Sequence, residues 1–112
     1  MIAPNLPVAV IGAGPVGLAA AAHLLARGLE PLVFEAGPEI GHAVHAWSHV
    51  RMFSPWAFNT DATARALLDA EGWSAPDPHH HPTGAELVAD YLAPLAATAA
   101  LRGRIRTGAR VI

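Results

Sequence analysis

The chain has 112 residues, of which 53% are hydrophobic and 14% charged, and its formal net charge is -2. This composition predicts one small domain with a packed core, and the seven basic residues are scattered arginines that offer no stripe for a nucleic-acid backbone, which argues against nucleic acid as a partner. Because cysteine is absent, a disulfide framework, a dithiol redox pair and a thiolate metal site are excluded.

The stretch from Val8 to Ala26 is apolar enough to resemble a membrane span, with His23 as its only ionisable side chain. No lysine or arginine precedes it, and glycine and proline interrupt it. These features argue against a signal peptide and a transmembrane helix. We therefore expect a cytoplasmic protein without a membrane partner.

The same stretch is predicted to begin a unit made of a strand, a helix and a second strand. Residues 8–11 form a short apolar run that suits a strand buried on both faces of a parallel sheet. Residues 15–27, rich in alanine and leucine, favour a helix that ends at Gly28. Residues 32–34 then predict a second buried strand, which ends at Glu35. The spacing is that of a right-handed βαβ crossover.

A G-x-G-x-x-G pattern lies between the first strand and the helix. Gly12 allows a tight turn, Gly14 lets a pyrophosphate approach the backbone, and Gly17 lets the helix pack closely on the sheet. The helix start presents free N–H groups and the positive end of its dipole to a diphosphate. Since Pro15 lacks an N–H, the donors are expected to be those of Ala13, Gly14 and Val16.

Glu35 follows Gly17 by eighteen residues, at the end of the second strand. At that place a carboxylate accepts hydrogen bonds from a ribose diol and repels a 2′-phosphate, which favours FAD or NAD over NADP. The alternative is that the glycines only make a compact turn and that Glu35 is a solvated strand end.

The remaining residues predict a helical insertion before a third strand. Residues 36–59 lack a clear period and are interpreted as a long functional loop. Residues 61–71 predict a helix with Leu67 and Leu68 facing inward, and Gly72 ends it. Thr83 and Glu86 have the spacing of a capping box, which opens a second helix with a possible bend at Pro94. That helix is expected to bury Leu87, Val88, Tyr91, Leu92 and Leu95.

Residues 105–111 alternate as a strand does, and the chain stops inside that strand. The predicted fold class is therefore α/β: a Rossmann-like dinucleotide-binding βαβ unit with a helical insertion before the third strand, in a truncated domain.

The histidines do not predict a metal site. His42, His45 and His49 have helical spacing, but the glycine and proline nearby argue against a helix there. The consecutive His79–His81 lie in a loop and cannot all point at one ion. The nucleophile-elbow pattern G-x-S-x-G is absent as well, so no catalytic residue is assigned.

The run VAVIGAGPVGLAAAAHLLARGLEPLVFEAG, residues 8–37, resembles the FAD-binding N-terminus of glutathione-reductase-like flavoproteins. The long insertion after Glu35 is more similar to that of class B flavin-dependent monooxygenases, in which a glycine pair, a tryptophan and an aromatic, hydroxyl-bearing segment follow the second strand. Here Gly41, Trp47 and HVRMFSPWAFNTD, residues 49–61, are similar, although His42 replaces the second glycine.

The resemblance implies which residues contact the cofactor. Arg51, Ser54 and Asn59 are implied to line the isoalloxazine or the diphosphate, and the backbone near Val111 to meet the adenine. The alternative for the aromatic residues of the loop is that Trp47, Phe53, Trp56 and Phe58 form a satellite core. The full set of expected cofactor-binding residues is Gly12, Ala13, Gly14, Pro15, Val16, Gly17, Glu35, Ala36, Gly37, Trp47, Arg51, Ser54 and Val111.

The resemblance implies a flavin-dependent oxidoreductase that is monooxygenase-like and uses NAD(P)H as electron donor on a small-molecule substrate. Residues 1–112 are then expected to be the N-terminal part of the FAD-binding domain, without the rest of that domain and without the NAD(P)H domain, and to be inactive alone. Two alternatives remain open from the sequence, namely an NAD-dependent dehydrogenase and a non-catalytic dinucleotide-binding module.

Overall fold

The computed structural model describes residues 6–112 and contains a parallel sheet of three strands in the order β1-β2-β3. β1 (Val8–Ile11) pairs with β2 (Pro31–Phe34), and β2 pairs in turn with β3 (Ile105–Arg106). Helix α1 (Pro15–Ala26) connects β1 to β2. The Rossmann-like α/β class predicted from the sequence is confirmed.

The first helix ends where its sequence predicts. Arg27 caps α1, and Gly28 follows with φ of +75°, a left-handed conformation that favours glycine. The buried residues of α1 are Leu18, Ala21 and Ala22, and the small side chains of the two alanines let the helix lie close to its neighbours.

The prediction that β1 is buried on both faces is wrong. Only Val10 of the four residues is buried, whereas Val8 and Ile11 are exposed. β1 lies at the edge of the described sheet, and α1 covers one of its faces. In β2, Pro31 and Val33 are buried, while Leu32 and Phe34 are half-buried. Burial of a strand depends on its neighbours, which an apolar run alone does not specify.

The segment between β2 and β3 is more helical than predicted. Residues 36–59, interpreted as an irregular loop, contain two single-turn helices, and one of them carries His42 and His45, for which a helix was not expected. The elements of the insertion, in chain order, are α2 (His42–His45), α3 (Trp56–Asn59), α4 (Ala62–Asp69), α5 (Gly84–Leu87), a π-helical segment (Val88–Leu92), α6 (Ala93–Ala96) and a 3-10 turn (Arg102–Arg104).

Side-chain caps begin the two main helical segments of the insertion. Asp61 accepts a hydrogen bond from the N–H of Ala64 at 2.9 Å and so caps α4. The capping box predicted at Thr83 and Glu86 is present in both directions, with distances of 3.1 and 3.3 Å. Each cap satisfies backbone donors that the first helical turn leaves free.

The bend expected at Pro94 takes the form of the π-helical segment that precedes this residue. Proline has no N–H, so the carbonyl of Asp90 lacks the partner that an α-helix would give it. The indole Nε1–H of Trp73 donates to that carbonyl instead, at 3.0 Å. The lost bond is therefore replaced from another part of the insertion.

The core joins α1, the sheet and the insertion. Leu68 is buried as predicted and Leu67 is partly buried, and the five residues expected to be buried in residues 83–95 are all buried. The largest fully buried side chain is that of Tyr91. Among the helices between residues 6 and 112, none is both long enough and apolar enough to cross a membrane.

The third strand is shorter than its alternating pattern predicted. β3 covers only Ile105–Arg106, because Gly108 adopts φ of +61° and turns the chain. The turn is held by bonds from the N–H of Gly108 to the carbonyl of Gly37 at 2.7 Å and from the N–H of Ala109 to the carbonyl of Glu35 at 2.9 Å. The prediction of a strand over 105–111 is therefore wrong for residues 107–111.

Gly17→Ala should destabilise the protein strongly. A Cβ atom at position 17 would lie 1.8 Å from the carbonyl oxygen of Gly12, which is backbone and cannot move aside without shifting α1 from the sheet. We expect a loss of unfolding free energy of about 2 kcal/mol or more in urea titrations. Gly103→Ala is the control, because a Cβ there meets no atom within 4 Å. Equal stability of the two variants would contradict the packing role of Gly17.

Candidate functional site

The glycine turn between β1 and α1 leaves open space where a ligand backbone can approach. The N–H of Gly12 donates to the carbonyl of Phe34 at 2.7 Å, and Gly12 has φ of +101°, which closes the turn. Gly14 is the N-cap of α1, and a Cβ built on it would meet no atom within 4 Å. Of the three glycines, Gly17 fits the packing role and Gly14 the ligand-approach role that the pattern predicts.

Glu35 is more deeply involved in the turn than the sequence indicates. Its carboxylate Oε1 accepts from the N–H of Ala13 at 2.9 Å, and Oε2 accepts from the N–H of Gly37 at 2.8 Å. The N–H of Ala13, expected to bind a diphosphate, is therefore taken by Glu35 in this structure. Sequence reasoning missed this contact because it depends on the direction of one backbone N–H.

The remaining donors of the turn belong to Gly14 and Val16. Neither N–H has a protein hydrogen-bond partner among residues 6–112. The first turn of α1 contains no acidic residue that would oppose an anion, and Pro15 begins the helix with the missing N–H that the first position tolerates. The two amides and the helix dipole together suit a phosphate group.

Two grooves meet at the start of α1. The turn groove, of about 360 Å³, is lined by Val10, Ile11, Gly12, Gly14, Pro15, Val16, Gly17 and Ala20. The side groove, of about 480 Å³, shares Pro15, Val16 and Ala20 and continues along α1 to His23, Phe58, Asn59, Thr60, Asp61 and Tyr91. A dinucleotide bound at the turn therefore has a continuous path along α1. A third groove of about 620 Å³ lies at the other end of α1 and α4, away from the turn.

A polar network that the sequence did not reveal borders the side groove. His23 Nε2 lies 3.0 Å from Asp61 Oδ1 and links α1 to the cap of α4. Burial alone would raise the pKa of the Asp61 carboxyl, but hydrogen bonds with His23 and with backbone N–H groups outweigh it and hold the pKa below the ordinary 3.8. The N-cap position of Asp61 is readable from the sequence, whereas its pairing with His23 is a tertiary contact.

Tyr91 anchors this network from below. Its hydroxyl oxygen accepts from the N–H of Asp61 at 3.1 Å. Burial raises the pKa of the Tyr91 phenol above its ordinary 10.0, so the hydroxyl is neutral at physiological pH. The rings of Trp56 and Trp73 pack against Tyr91 at centroid distances of 6.4 and 6.2 Å. The wall of the side groove is thus fixed by an aromatic cluster.

The loop residues implied by the resemblance are placed in different surroundings. Trp47 packs on Gly84, where a Cβ would lie 2.8 Å from the indole ring. The guanidinium of Arg51 donates to the carbonyl of His81 and lies 3.8 Å from the carboxylate of Glu86. None of these three contacts lies in either groove, and the cofactor roles of Trp47 and Arg51 stay predictions.

Ser54 and Asn59 bond to each other across α3. The Ser54 hydroxyl donates to Asn59 Oδ1, and Asn59 Nδ2 donates to the carbonyl of Ser54 at 2.8 Å. Asn59 lines the side groove, whereas Ser54 is not among its lining residues. The pair holds the turn that carries Asn59 to the groove.

Ala36, Gly37 and Val111, which were also expected to bind the cofactor, differ in their contacts and exposure. Gly37 is bonded to Glu35 and to Gly108, and a Cβ on it would lie 2.4 Å from the ring of His42. Ala36 and Val111 are exposed. The structure thus brings Gly37 to the carboxylate of Glu35, and leaves Ala36 and Val111 accessible.

The aromatic residues of the loop divide between core and surface. Trp56 is buried in the core, Trp47 is partly buried, and Phe53 and Phe58 are exposed. The four aromatic residues do not form a separate satellite core, since Trp56 belongs to the main core and Trp47 packs against it. Phe58 instead presents its ring at the side groove.

Several of the histidines lie close to carboxylates. His42 and His45 both lie near Glu39, at 3.6 and 3.8 Å. His80 lies 2.9 Å from Glu86 Oε2 and lowers the pKa of that carboxyl below its ordinary 4.5, against the opposing effect of burial. In the part of the chain that the structure describes, no three His, Asp or Glu side chains are arranged to hold a metal ion.

Comparison with known proteins agrees with this geometry. The family of FAD dependent oxidoreductases (DAO) matches residues 7–112. A structure of oxidized steroid monooxygenase bound to NADP is 26% identical with a TM-score of 0.67, and the match covers 89% of this chain and 19% of that one. A search among curated proteins found no match.

Structures of the protein OTEMO are similar in fold. OTEMO in complex with FAD and NADP is 22% identical with a TM-score of 0.69, and its FAD-bound form is 22% identical with a TM-score of 0.66. Both matches cover 98% of this chain and 20% of the OTEMO chain. The chain thus spans about a fifth of the length of the solved structures that it matches.

Asp61→Asn should reduce the loss of stability at acid pH. Because the folded-state pKa of Asp61 is lowered, its charge contributes stability that is fully present above the ordinary pKa of 3.8 and is lost as pH falls through the lowered value. Asparagine retains the N-cap but cannot ionise. We expect the variant to be less stable than the wild type at pH 6 and to lose less stability between pH 5 and about pH 2. The measurement is the urea midpoint over that pH range, and parallel curves for the two proteins would contradict the role of this carboxylate.

Proposed function

This chain belongs to the family of FAD dependent oxidoreductases, and we propose that its glycine turn binds the diphosphate of FAD while the side groove receives the flavin end of the cofactor. The observation that carries the proposal is the open space at Gly14, which lies beside the free amides of Gly14 and Val16 at the start of α1. A diphosphate needs close backbone approach and N–H donors, and both are offered here.

The residues present fit a dinucleotide in charge as well as in shape. The turn groove is lined by apolar and glycine residues, and no carboxylate is among its lining residues. Glu35 lies beside the turn with its carboxylate fixed by two N–H donors. A carboxylate at that position suits the ribose diol of FAD and disfavours a 2′-phosphate.

The side groove supports the placement of the flavin end. It continues from the shared residues Pro15, Val16 and Ala20 to Asn59, whose amide is oriented by Ser54. The exposed ring of Phe58 offers an apolar surface of the kind that an aromatic ring system packs on. Of the loop residues that the resemblance implied, Asn59 is therefore the one that we assign to the flavin.

When bound, the flavin supplies the redox chemistry, and the protein supplies binding, orientation and electrostatics. We propose that the whole protein uses NAD(P)H and acts in the manner of a monooxygenase on a small-molecule substrate, because steroid monooxygenase and OTEMO share this fold. The G-x-G-x-x-G pattern occurs once in this sequence, at the turn assigned to FAD. An NAD-dependent dehydrogenase is disfavoured by the family to which the chain belongs.

Gly14→Ala should weaken FAD binding without loss of the fold. Its φ of -95° is accessible to alanine, and no atom lies within 4 Å of the new Cβ, so the free protein should keep its thermal midpoint to within a few degrees. The methyl group would occupy the space that a pyrophosphate needs, and we expect the Kd for FAD to rise about tenfold or more. Titration of flavin fluorescence measures the affinity.

Gly103→Ala, which lies away from the turn, is the matched control and should bind FAD as the wild type does. Equal affinity of Gly14→Ala and wild type would refute the assignment of the diphosphate to this turn. Absence of FAD binding by the wild-type chain would refute the proposed function of the chain as given.

A further inference from the structure

The side chain of Glu35 bridges two backbone segments that are far apart in sequence. One carboxylate oxygen accepts from Ala13 in the glycine turn, at 2.9 Å, and the other from Gly37 after β2, at 2.8 Å. Hydrogen bonds to an ionised carboxylate are stronger than those between neutral groups. Both oxygens are thus used within the protein.

Both backbone polar groups of Ala13 are hydrogen-bonded. Its N–H donates to Glu35, and its carbonyl accepts from the N–H of Gly41 at 2.8 Å. The residue is fully buried. Its position fixes the backbone on which Gly14 presents its N–H, so a shift of Ala13 would move the amides assigned to the diphosphate.

The backbone of Glu35 is equally constrained. Its N–H donates to the carbonyl of Arg106 at 2.8 Å, and its carbonyl accepts from the N–H of Ala109 at 2.9 Å. Glu35 therefore joins the C-terminal ends of the three strands through its backbone and side chain together. A group with so many fixed partners is suited to hold a binding site in shape before the ligand arrives.

We propose that Glu35 is a positioning residue that holds the glycine turn in its nucleotide-binding shape, in addition to any contact that it makes with a ribose. The effect on nucleotide binding rests on the proposed function, whereas the hydrogen bonds of Glu35 to the turn are present in the protein without ligand. A carboxylate has about four acceptor sites, of which two are used here, so a ribose diol is accommodated by the others.

Glu35→Gln tests the positioning role, because it removes one of the two acceptor oxygens that hold the backbone. Both partners of Glu35 are N–H donors, and glutamine offers one acceptor oxygen and one NH2 group that cannot accept. One of the two backbone amides is left unbonded in the variant. Glu39→Gln is the matched control, because Glu39 lies in the same segment and is exposed, and its carboxylate lies 3.6 and 3.8 Å from the rings of His42 and His45.

The first measurement is amide hydrogen exchange of the full chain without nucleotide. We expect the amides of Ala13 and Gly37 to be protected in the wild type and in Glu39→Gln, and at least one of them to exchange about tenfold faster in Glu35→Gln. Unprotected amides in the wild type, or exchange that Glu35→Gln leaves unchanged, would overturn the proposal. If Glu35→Gln fails to fold, Glu35→Asp takes its place: the shorter carboxylate keeps the charge but cannot reach both amides, and unchanged exchange in that variant would overturn the proposal.

The second measurement compares ADP with 2′,3′-dideoxy-ADP, which lacks the ribose diol of ADP. If Glu35 positions the turn, Glu35→Gln weakens both ligands by a similar factor, about tenfold. Weakening of ADP alone would show that Glu35 acts only through the ribose and would overturn the inference, as would unchanged affinity for both ligands. Should the wild type bind neither ligand, the proposed function fails while the exchange measurement still decides the role of Glu35.

Discussion

The close approach of α1 to the turn before it is the constraint on which the remaining structure depends. At Gly17 the helix lies so near the carbonyl of Gly12 that no side chain fits between them. That contact sets the direction of α1, and thereby aims the amides of its first turn at the turn groove. It also brings Ala21 and Ala22 into the core, where their small size lets α4 lie beside α1. The absence of a Cβ atom at Gly17 therefore determines both how α1 packs on the sheet and where its first-turn amides point.

The insertion serves the same site from the other side. The segment of residues 58–61 forms the far wall of the side groove, and it is held from beneath by the Tyr91 hydroxyl and from above by His23 of α1. Trp56 and Trp73 enclose the Tyr91 ring, so the polar contact with Asp61 is set in an apolar surrounding that strengthens it. The long connection between β2 and β3 thus forms one wall of the side groove. A small number of aromatic and polar contacts fix the positions of its helices.

The parts of the fold that local chemistry determines were predictable, and the parts that neighbours determine were not. Gly28, Thr83 and Glu86 end or begin helices through backbone freedom and side-chain caps, which act within a few residues. The exposure of β1 and the turn at Gly108 depend on contacts between distant segments. In the site, the close packing at Gly17 and the open space at Gly14 followed from the spacing, whereas the carboxylate of Glu35 is bonded to the turn itself. The direction of the Ala13 N–H cannot be predicted from residue composition or from the spacing of apolar residues.

The exposed edge of β1 has a consequence for how the isolated chain behaves in concentrated solution. Val8, Ala9, Val10 and Ile11 carry no charge, and along the outer side of β1 the described residues supply no further strand. An uncharged strand edge of this kind is a template for pairing with the same strand of another copy, and folded proteins usually guard such edges with lysine, proline or a bulge. Pro7, which has no N–H to donate, prevents such pairing only at the start of β1. Aggregation of the 112-residue chain would therefore start at β1, the strand that precedes the glycine turn. Pairing of β1 between two copies would disturb the conformation of that turn.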